Sequence, residues 1–461
     1  MTRQICSPPL AGSVAEPEEP SKPAESLARR MFGPVPSPRE IRLICWSLFI
    51  ILLVWPTCVA LYGLIRQQQK SPRVPDVDFI YFYAMGRMSN KYPAGQLYDY
   101  ELQKQVATDI RPMNAGGEYG PNPYSPVVGI LFRPFALLPF VPAFALWIGL
   151  SFSLYLAGLA LFAGQFFHDD PHRRSLSFCF ALSFCPFYWV VAGGQISTIG
   201  FFALALAFRE EDRRRPLLSG LALSLCMYKP TLLILLLPML LITRRYKTLM
   251  GFAGGSLAMA AFITLVQGAA VWPGYVSMLL SFGSATTKIH SFVELWYHVD
   301  LNSFSSLLPG GRSWLGASVI LACASLAGIA LVRAWLIDRS WASRRAGAPT
   351  GTLIWAVTLT WTLILNLYVP FHDCILFVLS FMATAAVLKR APSLRLRRQS
   401  ALLGLAILAS SWISLSFART TGFQILTVLF SVFGMLQLAV LFKTQSLPGK
   451  TNRKYTYPAA A

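Results

Sequence analysis

The stretch from Pro75 to Pro134 reads PDVDFIYFYAMGRMSNKYPAGQLYDYELQKQVATDIRPMNAGGEYGPNPYSPVVGILFRP. It holds Asp76, Asp78, Arg87, Asp99, Glu101, Asp109 and Glu118, a large share of the carboxylates in a chain with only 20 Asp and Glu. Aromatics are interleaved, among them Phe79, Tyr81, Tyr83, Tyr98, Tyr119 and Tyr124. Nearly everything after it is apolar. A polar segment between apolar spans lies at a water interface, so the stretch reads as a loop at a membrane surface. The remainder reads as the frame embedded in the membrane.

Composition supports that division. The chain has 461 residues, 55% hydrophobic and 13% charged, with mean hydropathy +0.52. The charged share is roughly half that of a soluble domain. The fold class is therefore an all-α polytopic membrane protein. A net charge of +20 would suit nucleic acid, but the Lys and Arg sit in short clusters between apolar spans. That is the positive-inside pattern, and no nucleic-acid partner is expected. The eight cysteines lie mostly in apolar spans with no CxxC pair. They read as small buried hydrophobes rather than zinc ligands or a disulfide frame.

Residues 1–40 are rich in Pro, Glu, Ser and Ala and read as a disordered cytoplasmic tail. The membrane domain runs over 41–442, beginning with a span from Ile41 to Ile65. Residues 66–140 form the first outer loop. Within it Leu97 to Ile110 reads as a surface helix, and Val127 to Leu138 as an interfacial or re-entrant helix, with a short true span as the alternative. Val141 to Phe167 crosses inward, with Trp147 as an interfacial anchor. Further spans are punctuated by HDDPHRR, GGQIS, REEDRRR, Lys229-Pro230, RRYK, a second outer loop over 272–312, VPFHD and KRAPSLRLRR. Residues 443–461 form a cytoplasmic tail. The total is about 12 transmembrane helices with both termini cytoplasmic, and about 28 Lys and Arg fall inside against about 12 outside. Several spans are short for a bilayer of about 30 Å, which points to a cavity opening outward.

The unusual polar residues segregate to one side. Asp76, Asp78, Arg87, Gln195, Lys229, His290, Glu294, His298, Asn302, His372 and Asp373 all fall at outer ends or loops. Asp78 or Asp76 could serve as a general base for a hydroxyl nucleophile. Equally, Asp78 before FIYFYAMGRM suits a helix N-cap. Lys229 lies inside an apolar hairpin. There it could hold a phosphate, or be a lysine snorkelling from a helix end. His372 could donate to a phosphate oxygen, kept protonated by Asp373, or take part in a structural hydrogen bond. Gln195 is a cavity or turn polar group, and Arg87 and Arg133 either pair with phosphate or flank the interface. His290, Glu294 and His298 would share a helix face at a spacing that can bind zinc, but HExxH is absent and no metal or other cofactor is indicated. No Walker motif, GxGxxG or GxSxG occurs. An activated donor must therefore arrive through the membrane or from outside, and a lipid-linked donor fits best.

DVDFIYFYAMGRM, KYPAGQLYD and NPYSPVVGILFRPFALLPFVPAFALW together resemble the N-terminal signature of glycosyltransferase family 87, membrane enzymes of the GT-C class. GGQIS, MYKP and VPFHDCILF resemble later blocks of that family. The resemblance implies a GT-C-like bundle and a polyprenyl-phosphate-linked sugar, mannose or similar, as donor. The acceptor would be a glycolipid or glycan on the outer face of the plasma membrane. It implies an inverting displacement with Asp78 as base, Asp76 as fallback, and Lys229, Arg87 or His372 on the donor phosphate. Tyr83, Tyr124, Gln195, Asn302 and Asp373 would line the cavity among membrane lipids. Two departures stand out: NPYSP in place of a run of prolines, and VPFHD in place of a Ser-Pro start. The alternatives are a transporter or flippase of a lipid-linked glycan, and a non-catalytic subunit of an envelope-assembly complex.

Overall fold

The computed structural model describes residues 78–111, 119–283, 294–310, 313–342, 349–390 and 393–445, with a few separate positions before 51. Met1–Ile44 is a separate unit of which only Arg39 and Leu43 are described; every other described residue belongs to the unit Cys45–Ala461. Asp76, Glu118, His290, the tail over 1–40 apart from Arg39, most of the first span and the tail beyond 445 lie outside the described residues.

Among the described residues there are 17 α-helices and no strand. In chain order they are α1 (Phe79–Lys91), α2 (Tyr100–Ile110), α3 (Pro126–Phe132), α4 (Phe140–Phe166), α5 (Pro171–Ser183), α6 (Cys185–Gly193), α7 (Ser197–Asp212), α8 (Pro216–Ser224) and α9 (Leu236–Ile242). There follow α10 (Tyr246–Gln267), α11 (Val271–Gly283), α12 (Leu301–Leu307), α13 (Trp314–Ala342), α14 (Pro349–Ile364), α15 (Phe377–Arg390), α16 (Leu394–Thr421) and α17 (Ile425–Gln445). The all-α membrane class is thus observed.

Among the described residues six helices are long and apolar enough to cross a bilayer: α4, α10, α13, α15 with the turn before it, α16 and α17. The span expected over Leu176 to Val191 is instead a pair, α5 and α6, bent by 53° at Phe184. Pro186 at the start of α6 explains the break, since proline cannot continue the hydrogen-bond ladder of the preceding helix. The segments around Lys229 are shorter apolar helices, Pro216–Tyr228 and Pro230–Ile242. At 1.5 Å per residue each covers about 20 Å, less than the hydrocarbon thickness.

The short segment is held by backbone contact. A Cβ on Gly220 of α8 would collide with the backbone of Thr248 and Phe252 on α10. In return, a Cβ on Gly251 would collide with Leu217, and one on Gly255 with Ser224. Gly251 and Gly255 are four apart, the small-residue spacing that lets membrane helices touch backbone to backbone. At the start of α10, Arg245 is more than a loop cation. Its guanidinium bonds Glu211 Oε1 at 2.6 Å and Asp338 Oδ2 at 3.2 Å, tying α7, α10 and α13 together.

The segments expected in the first outer loop are more embedded than a surface loop. Helix α1 buries Phe79, Ile80, Phe82, Tyr83, Ala84, Met85, Gly86 and Met88. Helix α2 is capped by Asp99, whose side chain accepts from Leu102 N at 3.1 Å. Helix α3 has seven residues, about 10 Å, and so is too short to span. A buried amide pair fixes the segment before it: Asn122 N donates to Gln103 Oε1 at 3.0 Å and Asn122 Nδ2 to Tyr81 O at 3.1 Å. Tyr98 then donates to the Tyr124 carbonyl at 2.6 Å. Trp147 is not a lipid anchor. It is fully buried, and its indole N–H donates to Gly194 O at 2.9 Å.

The glycine contacts yield a prediction. Gly220→Val should destabilise the protein by about 3 kcal/mol or more, because backbone cannot move aside. Gly254→Ala, where a Cβ meets nothing within 4 Å, should leave the melting temperature in detergent unchanged. Equal melting of both variants would contradict the α8–α10 contact.

Candidate active site

The site is built on the turn Gly193-Gly194-Gln195-Ile196-Ser197. Helix α6 ends there because Gly194 takes the left-handed conformation, φ +66°, with its N–H on the Val191 carbonyl. A side chain at Gly194 would also meet Phe79 Cβ and the Phe144 ring, each at 2.8 Å. The turn presents two polar side chains to two acids. Gln195 Nε2 donates to Asp78 Oδ2 in a very close contact. Ser197 Oγ donates to Asp373 Oδ1 at 2.6 Å.

Asp373 carries a third element into the site. Its Oδ2 pairs with Lys229 Nζ. Asp373 is 2% exposed, so both its oxygens are satisfied within the protein. Lys229 sits between two 3₁₀ turns, Leu225–Tyr228 and Pro230–Leu233, where Pro230 prevents a continuous helix. Its ammonium is 5.9 Å from the centre of the Tyr124 ring.

Asp78 is not a helix cap. Its backbone is already helical, with φ −65° and ψ −16°, and its side chain makes no capping bond to α1. Asp99, at the corresponding place before α2, does cap. Of the two aspartates preceding α1 and α2, one serves its helix and the other is exposed and turned to Gln195.

His372 and Asp373 lie in a 3₁₀ helix, Phe371–Leu376. His372 Nδ1 is 3.1 Å from the Tyr297 hydroxyl. Its Nε2 is 3.9 Å from Asp373 Oδ1, beyond hydrogen-bond range. The expected His–Asp partnership is therefore not formed, because Lys229 and Ser197 engage the carboxylate. Tyr297 is brought in by Asp300, which is fully buried. Asp300 accepts from Ser303 N at 2.8 Å, Ser303 Oγ at 3.0 Å and Val369 N at 2.8 Å. Val299 N donates to Val369 O at 2.9 Å, and His298 bridges to Pro370. The segment around Val299 and Asp300 is thereby pinned on the VPFHD turn.

The tyrosines stay protonated. Burial pushes the Tyr124 phenol up to about 12; Lys229 pulls it down, while Asp373 and Asp78 push it up. Burial also lifts the Tyr297 phenol well above its ordinary value, with Asp78 and Asp373 adding to the rise. Both rings feel both carboxylates, which places them in one electrostatic neighbourhood.

Of the residues singled out in the sequence, Asp78, Gln195, Lys229, His372, Asp373 and Tyr124 come together. Tyr83 faces elsewhere: its hydroxyl donates to Leu138 O at 2.7 Å and its ring packs on Phe79 and Phe140. Arg87 lies nine residues along α1 from Asp78, about 13 Å along the axis. Asn302 is half-buried on α12, its carbonyl accepting from Ser305 Oγ. The helix face expected for His290, Glu294 and His298 does not form as such, since His298 is extended at φ −106°, ψ 146°. Among the described residues no group of three or more His, Cys, Asp or Glu is placed to hold a metal ion. Ser197 and Tyr297 were not legible in the sequence. Only Ser197's place two residues after Gln195 in the GGQIS turn gave a signal.

The buried pair makes the next prediction. Asp373→Leu alone strands the Lys229 charge and should cost about 3–5 kcal/mol, whereas Asp373→Leu with Lys229→Met should recover most of it. Chemical or thermal denaturation of the three proteins checks this. A double variant no more stable than the single one would contradict the pairing.

Comparison with known proteins adds one finding. The model of glycosyltransferase family 87 matches residues 122–366, just over half the chain. Tyr124, Gln195, Ser197, Lys229 and Tyr297 fall within the match. Asp78, His372 and Asp373 stand outside its bounds and join the site through their contacts with residues inside. No curated protein and no solved structure matches the chain. With its helical membrane frame and this match, the chain belongs to glycosyltransferase family 87 and is a membrane glycosyltransferase.

Proposed function

We propose that the protein moves a hexose, mannose or similar, from a polyprenyl-phosphate donor to a glycolipid or glycan acceptor. The observation that carries this reading is the state of Asp78: not a cap, exposed, and oriented by a neutral amide beside a buried Lys–Asp pair. An amide donor orients a carboxylate without cancelling its charge, which is what a general base needs.

The step is an inverting displacement. Asp78 takes the proton of the acceptor hydroxyl, and the oxygen attacks the anomeric carbon from the face opposite the phosphate. The bond from that carbon to the phosphate oxygen breaks, and polyprenyl phosphate leaves with the electron pair. The phosphate gains one negative charge as it departs. Lys229 has three ammonium protons, of which Asp373 engages one. The others can meet that charge, and donors aimed at charge that develops in the transition state are worth a few kcal/mol each. His372, held through Nδ1 by Tyr297, is the second candidate for the phosphate. Asp76 remains the fallback base. No metal or other cofactor enters this reading.

The orientation follows from charge. The basic loops REEDRRR, RRYK and KRAPSLRLRR lie at helix ends opposite those that carry the site residues. Lys and Arg favour the cytoplasmic side. With the short and bent segments counted as crossings, about 12 spans result, with both termini in the cytoplasm and the site facing outward from the plasma membrane. No nucleotide-sugar pool exists there, whereas a lipid-linked donor reaches the site by lateral diffusion.

Asp78→Asn should lower transfer by about 10²–10⁴-fold, with membrane insertion and melting unchanged. Membranes supplied with a labelled polyprenyl-phosphate hexose provide the assay. Near-normal transfer by this variant would sink the assignment of the base.

A further inference from the structure

Trp189 lies on α6, one turn before the turn that holds Asp78. Positions 189 and 193 are four apart and share a helix face, about 6 Å from one another. Gly193 marks where that face points: a Cβ there would be 3.7 Å from Asp78 Oδ2. Trp189 is 37% exposed, whereas Phe79, Trp147 and Phe371 are fully buried, and Tyr124 and Tyr297 are half-buried. It meets Tyr297 edge to face, with ring centres 5.9 Å apart. Tyr297 in turn joins His372. An aromatic corner thus stands beside the carboxylate, with one wall uncovered by protein.

Two buried polar atoms beside the same corner have no hydrogen-bond partner among the described residues. One is Gln195 Oε1, on the side chain that orients Asp78. The other is His372 Nε2, on the ring held by Tyr297. Both side chains are more than nine-tenths buried. An unmatched buried acceptor or donor is costly, and a ligand with hydroxyl groups would satisfy both. Aromatic faces with a few converging polar groups, next to an acid, match the apolar C–H face and hydroxyl rim of a pyranose ring.

We propose that Trp189 and Tyr297 form a subsite for the hexopyranose ring of the acceptor that presents its hydroxyl to Asp78. The assignment to acceptor rather than donor rests on the preceding reading of Asp78 as base, because the base must touch the acceptor. The aromatic corner itself does not depend on it.

Methyl mannobioside is a suitable probe. Saturation-transfer NMR on the full chain in nanodiscs should show contacts to its terminal ring protons in the wild type and in Asp78→Asn. The signals should vanish in Trp189→Ala and return at least in part in Trp189→Tyr, which also controls for folding. In the transfer assay Trp189→Ala should raise the acceptor KM at least tenfold and leave the donor KM within twofold. Undiminished ring contacts in Trp189→Ala would overturn the subsite and leave Trp189 as an interfacial anchor only. So would the absence of contacts in the wild type. A rise in donor KM alone would overturn the acceptor assignment. Binding that depends on Trp189, in a protein that transfers no sugar, would support the subsite while removing the transferase chemistry proposed above.

Discussion

Lys229 and Asp373 cannot be buried apart. Each ion carries a desolvation cost of several kcal/mol, and only the partner charge with further hydrogen bonds offsets it. They are 144 residues apart in sequence, so their union fixes the break between α8 and α9 against the turn that opens α15. Ser197 supplies a further hydrogen bond to Asp373, and through it the Gly193–Ser197 turn is fixed as well. Gln195, two residues before Ser197, then reaches Asp78. One buried pair thus registers four segments of the chain around a single exposed carboxylate.

The site residues share a structural feature: none lies in the middle of a regular helix. Asp78 precedes α1, Gln195 lies in the turn after α6, and Ser197 opens α7. Lys229 separates two 3₁₀ turns, and Tyr297, His372 and Asp373 are in 3₁₀ helices. Irregular backbone near membrane depth survives only where it is buried in protein or lines a cavity. The short segments around Lys229 and the glycine contact of α8 with α10 therefore belong to one design. The glycines hold a helix too short to span on its own, so that its end can carry a cation to the site.

Much of this was legible in the sequence, because it depends on composition and punctuation. Apolar runs, prolines and basic clusters gave the helical membrane class and set the polar turns apart from the basic loops. GGQIS and MYKP stood out as polar groups between apolar runs. What was not legible depends on direction and pairing. Asp78 and Asp99 look alike in sequence, and only geometry separates the cap from the carboxylate held by Gln195. Tyr83 is two residues from Tyr81 on the same helix, but the helical period turns it toward Leu138. Trp147 resembled an interfacial anchor because its indole needs a polar partner; that partner is the Gly194 carbonyl, not the lipid interface. The Lys229–Asp373 pair joins residues whose separation leaves no local trace.

The central claim is that Asp78 and the Lys229–Asp373 pair flank one reacting centre. A structure of the full chain in lipid with a polyprenyl-phosphate hexose analogue bound tests it most directly. The phosphate should lie within hydrogen-bond reach of Lys229 Nζ, with the Asp78 carboxylate on the opposite side of the anomeric carbon. A phosphate held elsewhere, with Lys229 still closed on Asp373 and Asp78 facing bulk water, would contradict it.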